Sequence, residues 1–131
     1  MKRMITASQD TSGLKEIAAQ FYHNLQTEDI PVDIRWGSYR IAKYDIVTAC
    51  ESAFQYLGLH LDKKSLKHAN NLGNNNEWEL QDDIGDTLGY FWLTMDFVGL
   101  ASCGIANKAH QTIAAWNFRI RNDRVVVIPR N

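Results

Sequence analysis

Cysteine and proline are scarce in this chain of 131 residues, which contains two of each. Cys50 and Cys103 lie far apart in the sequence and belong to no closely spaced motif. A disulfide framework or a structural zinc site needs more cysteines at closer spacing. The sequence therefore predicts two reduced, buried thiols in a cytoplasmic protein.

Long apolar runs are also absent, since none approaches the roughly 20 residues that cross a bilayer. Residues 1–7 begin like a signal peptide, but the polar residues 8–12 end the apolar stretch at once. We expect a single intracellular domain spanning residues 1–131, with no membrane partner.

Motifs that bind cofactors or metals are missing as well. No glycine-rich phosphate loop is present, and the four histidines show no metal-binding spacing. The stretch Asp82-Asp83-Ile84-Gly85-Asp86 matches a magnesium-binding pattern, but Gly85 disfavours the helix that such a pattern needs. We interpret it as a solvated acidic turn and predict neither a cofactor nor a metal.

Two segments have the periodicity of amphipathic helices. The first follows Ser12 as a candidate N-cap and carries an apolar stripe at three- and four-residue spacing. The second follows Asp45 as N-cap and ends at Gly58 as the C′ residue. Asp62 could cap a third, shorter helix from Lys63 to about Asn70. The two stripes consist of Leu14, Ile17, Ala18, Phe21 and Leu25, and of Ile46, Cys50, Ala53, Phe54 and Leu57.

Strand patterns dominate the rest of the chain. A short hairpin is predicted over residues 32–41, with Gly37-Ser38 as its turn. Residues 77–81 alternate, and residues 88–97 are apolar at both parities, which fits a central strand covered on both faces or nearly so. Residues 112–121 form the clearest strand, and Asn122-Asp123 makes a type I′ turn into a last strand that ends before Pro129.

The order of elements predicts an α+β fold with two amphipathic helices, and the short third, packed on an antiparallel sheet of three to five strands. Residues 99–106 fit either a loop or a short helix. A last strand at the sheet edge could pair with a second copy to form a homodimer.

The distribution of charge is uneven, although the net charge of −1 excludes a generally basic, polyanion-binding protein. No Lys or Arg occurs from Ala69 to Asn107. Residues 108–131, in contrast, contain five bases and a single acid, Asp123. In one interpretation, the acidic strand pairs with the Arg-bearing hairpin through cross-strand ion pairs. In the other, the acids form an exposed ridge that docks into a basic groove. The ridge would comprise Glu77, Glu79, Asp82, Asp83 and Asp86, with Trp78 as an apolar anchor.

Three functions follow as hypotheses. The first is a non-enzymatic inhibitor that blocks a protein partner through the acidic ridge, such as an immunity protein or a phage anti-defence (anti-CRISPR) protein. Its partner would be a nucleic-acid-binding effector with a basic groove. The second is a nucleic-acid-binding accessory domain that uses Lys108, Arg119, Arg121 and Arg124. The third is a small enzyme built on Cys103 and His110, a pairing that the sequence cannot place in space.

Overall fold

A computed structural model describes residues 10–35, 38–68, 75–95 and 101–130 of the chain. It contains two helices and eight strands in these ranges, and neither helix is long and apolar enough to span a membrane. The helices are α1 (Asp10–Leu25) and α2 (Lys43–Gln55). The strands are β1 (Asp33–Arg35), β2 (Ser38–Arg40), β3 (His60–His68), β4 (Asn75–Gln81), β5 (Thr87–Met95), β6 (Ala101–Ala106), β7 (Thr112–Arg121) and β8 (Arg124–Arg130).

The main sheet is a six-stranded antiparallel meander, in which the strands follow one another in the order β3-β4-β5-β6-β7-β8. β1 and β2 form a separate two-stranded sheet. The predicted α+β class is therefore confirmed, but the sheet is larger than the three to five strands expected. The difference comes from β3 and β6, which the sequence patterns did not identify as strands.

Both helices pack on one face of this sheet. Leu14, Ala18, Phe21 and Leu25 of α1 are buried, as the predicted stripe requires. Phe21 is the centre of an aromatic cluster, since its ring lies 4.1 Å from Phe54 of α2, 5.8 Å from Phe91 of β5 and 5.2 Å from Trp116 of β7. The core thus joins both helices to alternate positions of the central strands.

The helix ends follow the sequence only in part. α1 begins at Asp10, so Ser12 lies inside the first turn and is not the N-cap. The N-cap of α2 is Ala42, which makes no side-chain capping bond, and Asp45 lies within the first turn. A carboxylate there still favours the helix dipole. Gly58 is confirmed as the C′ residue, because its φ is 73° and Leu59 N–H donates to Phe54 C=O in a Schellman motif.

The predicted hairpin after α1 is confirmed as the strand pair β1–β2. Arg35 pairs with Ser38 in the register, so Ser38 belongs to β2 and is not a turn residue. Trp36 and Gly37 themselves lie outside the described residues.

The predicted third helix is wrong, because residues 60–68 form the edge strand β3. Its register with β4 shifts between Asp62 and Lys67, where β3 contains three more residues than its partner. Residues 69–70, which the predicted helix included, lie outside the described ranges. Pairing with β4 therefore outweighs the helical preference of the lysines and the leucine in this segment.

Three expectations about the strands also change. Residues 101–106, predicted as loop or helix, form β6 in the middle of the sheet, while residues 99 and 100 are not described. β5 is covered on one face only, since its buried residues alternate with half-buried ones. β8 continues through Pro129 to Arg130, which an edge strand permits because its outer N–H groups have no ladder partner.

Candidate functional site

The turn between β4 and β5 is held by the carboxylate of Asp82. Its Oδ1 accepts hydrogen bonds from the backbone N–H groups of Ile84 at 3.1 Å and Asp86 at 2.9 Å. Two backbone hydrogen bonds also close the turn, since Asp82 N–H donates to Asp86 C=O and Gly85 N–H donates to Asp82 C=O. Asp82 is only 6% exposed, so it shapes the turn and contributes no open charge to the predicted ridge.

The outward-facing residues of this turn form what we call the acidic tip: Asp83, Ile84 and Asp86. Both aspartates are exposed, and neither forms an ion pair with a residue in the described ranges. Ile84 is 75% exposed, which is unusual for a large aliphatic side chain. The tip therefore presents an apolar group between two carboxylates on a well-bonded turn.

The acids of β4 lie on the face of the main sheet opposite the helices, which we call the open face. Glu79 Oε1 accepts from Thr87 Oγ1 at 2.7 Å and from Gln81 Nε2 at 3.2 Å. The same Gln81 amide donates to Asp62 Oδ2 at 3.2 Å. The register places Asp62 opposite Glu79 and Lys67 opposite Glu77. Glu79 is thus fixed by neighbouring donors and is not a mobile surface charge.

Trp78 does not act as the apolar anchor of the ridge. It is 5% exposed, and its ring lies 5.9 Å from Phe91 in the core. The alternation along β4 explains this, because Glu77 and Glu79 share the open face and Trp78 between them must point to the helices. Ile84 is the exposed apolar residue of the region, and its position inside an otherwise polar turn is the sequence signal that could have identified it.

The interpretation in which the acidic strand pairs with the Arg-bearing hairpin is wrong. β4 pairs with β3 and β5, so two strands, β5 and β6, separate it from β7, the first strand of that hairpin, and β8 lies one strand further away. From β4 to β7 the separation is three strand spacings, or about 14 Å. Cross-strand contacts act only between adjacent strands. Arg119 and Arg121 therefore do not neutralise Glu77 and Glu79.

The predicted basic residues do not form one patch. Arg119, Arg121 and Arg124 lie together near the β7–β8 turn, where Arg121 pairs with Arg124 in the register. Lys108 lies in the turn before β7, at the opposite end of that strand, about 30 Å away. Lys108 is therefore at the same end of the sheet as the acidic tip.

A cluster that the sequence did not reveal joins β4, β5 and the β6–β7 turn. The ring of His110 stacks on Tyr90 with centroids 4.1 Å apart, and its Nδ1 lies 3.3 Å from Glu77 Oε2. His110 has a φ of 62°, and its side chain remains 51% exposed. The sequence signal for this cluster was the aromatic character of both faces of β5, where Tyr90 and Trp92 alternate with the core residues Phe91 and Leu93.

The proposed Cys103–His110 pair is not assembled. Cys103 is fully buried on the helix-facing side of β6, whereas His110 contacts Tyr90 and Glu77 on the open face. The neighbour of Cys103 is the Cys50 thiol of α2, and both thiols are free. Burial, followed by the hydrogen bond with Cys103, raises the pKa of Cys50 well above its ordinary value. A buried, protonated thiol is a poor nucleophile.

Within the described ranges, no three His, Cys, Asp or Glu side chains come together as a metal ion would require. The Asp82 pattern fails for a specific reason, since its first carboxylate already accepts two backbone N–H groups. Comparison of the chain with protein families, with characterised proteins and with solved structures finds no match.

Proposed function

We propose that this chain is a non-enzymatic binding protein that occupies a basic surface of a protein partner through the acidic tip. The observation that carries the proposal is the exposure of Ile84 between Asp83 and Asp86. An exposed aliphatic side chain flanked by carboxylates matches an apolar pocket with a cationic rim. Burying an isoleucine stabilises a complex by about 1.5–3 kcal/mol.

The rigidity of the turn supports this role. Asp82 binds two backbone N–H groups of the tip, so the loop needs little further ordering when it docks. A binding loop that is already ordered avoids a loss of conformational entropy that otherwise weakens association. The buried Asp82 thus contributes to binding by positioning its exposed neighbours.

The charge pattern supports a cationic partner. The chain has no Lys or Arg between residues 69 and 107, which includes the whole tip. The Arg side chains of β7 lie about 14 Å or more from β4, beyond a Debye length of about 8 Å at physiological salt. Lys108 lies at the same end of the sheet as the tip, but its turn is two strand spacings, or about 10 Å, from the β4–β5 turn. The field of Asp83 and Asp86 therefore reaches the solvent and can accelerate the encounter with a basic surface.

The partner class that fits best is a nucleic-acid-directed effector, because such proteins expose basic grooves. Occupying that groove would make the chain an inhibitor of the immunity-protein or phage anti-defence (anti-CRISPR) type. Ile84 would enter an apolar pocket in the groove, and the two aspartates would face cations at its rim.

The test replaces the tip by Asp83→Asn, Ile84→Ser and Asp86→Asn in one variant. Affinity capture from the source cell, quantified by mass spectrometry, should recover a partner with the wild-type chain and lose it with the tip variant. With the purified partner, association should slow on the order of tenfold, because steering charges are removed. Loss of the Ile84 contact should speed dissociation.

The matched control is Asp123→Asn, which neutralises an exposed aspartate on the turn between β7 and β8. This variant should bind as the wild type does. Circular dichroism verifies that the tip variant remains folded, as expected because Asp82 is retained. Equal capture of the partner by the tip variant and the wild type would refute the proposal.

A further inference from the structure

We propose that the open face of β5–β8 binds single-stranded nucleic acid, with a base stacked on Trp92 and phosphates held by Arg119, Arg121 and Arg124. The helices cover the other face of the sheet, and among the described residues the side chains on this face are half-buried or exposed, except at Gly104 and Ala106 of β6. It is distinct from the acidic tip and would act independently of it.

The arginines form a cationic cluster at the β7–β8 turn. Arg121 and Arg124 are direct register partners, and Arg119 lies two residues earlier on the same face. Like charges directly opposite each other destabilise a strand pair. Arg121 and Arg124 are exposed, and neither forms an ion pair with a residue in the described part of the chain. A phosphate offers the bidentate acceptor that a guanidinium group prefers.

Trp92 provides an ordered aromatic surface on the same face. Its indole covers Gly104 of β6, since a Cβ at Gly104 would lie 2.4 Å from the ring. Its Nε1 donates to Thr112 Oγ1 of β7 at 3.0 Å. The ring is therefore fixed against the sheet while remaining half-exposed. Bases stack on such rings with little dependence on sequence.

The two features lie on one path across the sheet. Trp92 aligns with Gly104 and Ala115, and Arg119 follows Ala115 by four positions along β7. This places Arg119 about 13 Å along the strands and about 10 Å across them from Trp92, and Arg121 about 20 Å along. A few nucleotides span that distance, and the Ser102–Asn117 hydrogen-bonded pair lies between its ends.

The acids of β4 set the direction of the bound strand. Glu77 and Glu79 flank Trp92 and Tyr90 on the β4 side, where they repel phosphate. The strand must therefore run from Trp92 toward β8. A base can stack on Trp92 only when it is unpaired, so this arrangement favours single strands over a duplex.

Fluorescence anisotropy with labelled oligo(dT) and oligo(rU) of about ten nucleotides tests the proposal. Both should bind at low salt, and a duplex of the same length should bind more weakly. Arg121→Gln/Arg124→Gln should weaken binding about tenfold. It should also reduce the slope of log K against log salt by about 1.4, since each phosphate contact contributes about 0.7.

Matched variants separate stacking from general electrostatics. Trp92→Leu should weaken binding several-fold, and Glu77→Gln should strengthen it. Lys108→Gln removes a cation at the other end of β7 and should have no effect, as should the tip variant. No binding of single strands at low salt would overturn the proposal. Tighter binding of the duplex than of single strands would also overturn it. The same holds if Lys108→Gln and Arg121→Gln/Arg124→Gln lose equal affinity while both variants unfold at the wild-type temperature.

Discussion

Cys50 and Cys103 meet in the core where α2 crosses β6. Both thiols are fully buried and share a hydrogen bond. Ionising Cys50 would place a charge in a low-dielectric environment. The folded state therefore keeps the proton on Cys50 at a pH where the unfolded chain releases it.

Stability should consequently fall in alkaline solution. The pKa of Cys50 is raised by burial, whereas an unfolded thiol ionises near about pH 8.5. The contribution is fully present below that pH and is lost above it, because the unfolded state then binds fewer protons than the folded state. The loss approaches about 1.4 kcal/mol per pH unit. Urea unfolding between neutral and alkaline pH measures it.

Cys50→Ala is the appropriate comparison. This variant should be less stable at neutral pH, because a buried sulfur is lost, but its alkaline slope should be shallower. Identical slopes in the two proteins would show that Cys50 ionises equally in both states.

Residue roles at the acidic tip show what the sequence could predict. The aspartates past the end of β4 were expected to carry the open charge, and Asp83 and Asp86 are exposed as that expectation requires. Asp82 belongs to the same run but is buried by its hydrogen bonds to Ile84 and Asp86. Three aspartates in one turn look alike in a sequence, and only the path of the backbone distinguishes them.

At the scale of the elements, the pairing of β5 with β6 depends on a close approach of their backbones at Gly89. A Cβ at Gly89 would lie 2.3 Å from the carbonyl oxygen of Ala106 and 3.3 Å from Cδ1 of Leu14. The first contact is with the backbone of β6, and the second is with α1. Gly89 therefore permits both the strand pairing and the packing of the helix.

Gly89→Ala should destabilise the protein by about 1–3 kcal/mol or more, as overpacking in a rigid site does. Gly104→Ala is the matched control within the same pair of strands. Its Cβ would meet atoms of the Trp92 ring, a half-exposed side chain whose displacement breaks one hydrogen bond to Thr112 and leaves the backbone in place. Chemical denaturation should rank Gly89→Ala as the less stable variant, and the opposite ranking would contradict this account.

Element prediction succeeded where the apolar period was strong and failed where neighbours decide. The stripes of α1 and α2 and the alternation of β7 were readable directly. β6 consists mainly of small residues with weak strand preference and is a strand because β5 and β7 flank it. Gly104 is part of that weakness, and the ring of Trp92 lies directly over it.

At the scale of the molecule, the order of the strands separates the acids of β4 and the acidic tip from the arginines of the β7–β8 hairpin. The carboxylates lie on β4 and the acidic tip, the arginines lie on β7 and β8, and the aromatic strand β5 and the small-residue strand β6 lie between them. Charge runs were visible in the sequence, but their separation required the topology. A meander that paired β4 with β7 would have produced a neutral, ion-paired face from the same residues.

The edge of β8 bears on whether two copies associate. Residues 122 and 123 form the turn, with φ values of 52° and 61° that confirm its type I′ character. Arg121 and Arg124 are then the first hydrogen-bonded pair, so Val125, Val127 and Pro129 direct their backbone groups to the outer edge.

That edge is partly closed to another strand. Pro129 has no N–H to offer, and the Val127 carbonyl accepts from the Tyr22 hydroxyl at 3.3 Å. The other edge, β3, has an irregular register between Asp62 and Lys67. Bulged or proline-bearing edges resist edge-to-edge pairing.

We therefore expect a monomer by size-exclusion chromatography with light scattering, instead of the homodimer that an open edge strand would favour. Tyr22→Phe/Pro129→Val restores a carbonyl acceptor and an N–H donor on the outer edge of β8, and it should shift the protein toward dimers as concentration rises. Val126→Thr changes β8 at a position whose backbone groups bond to β7, so it should remain monomeric. A concentration-dependent dimer of the wild-type chain would show that the proline and the tyrosine do not block the edge.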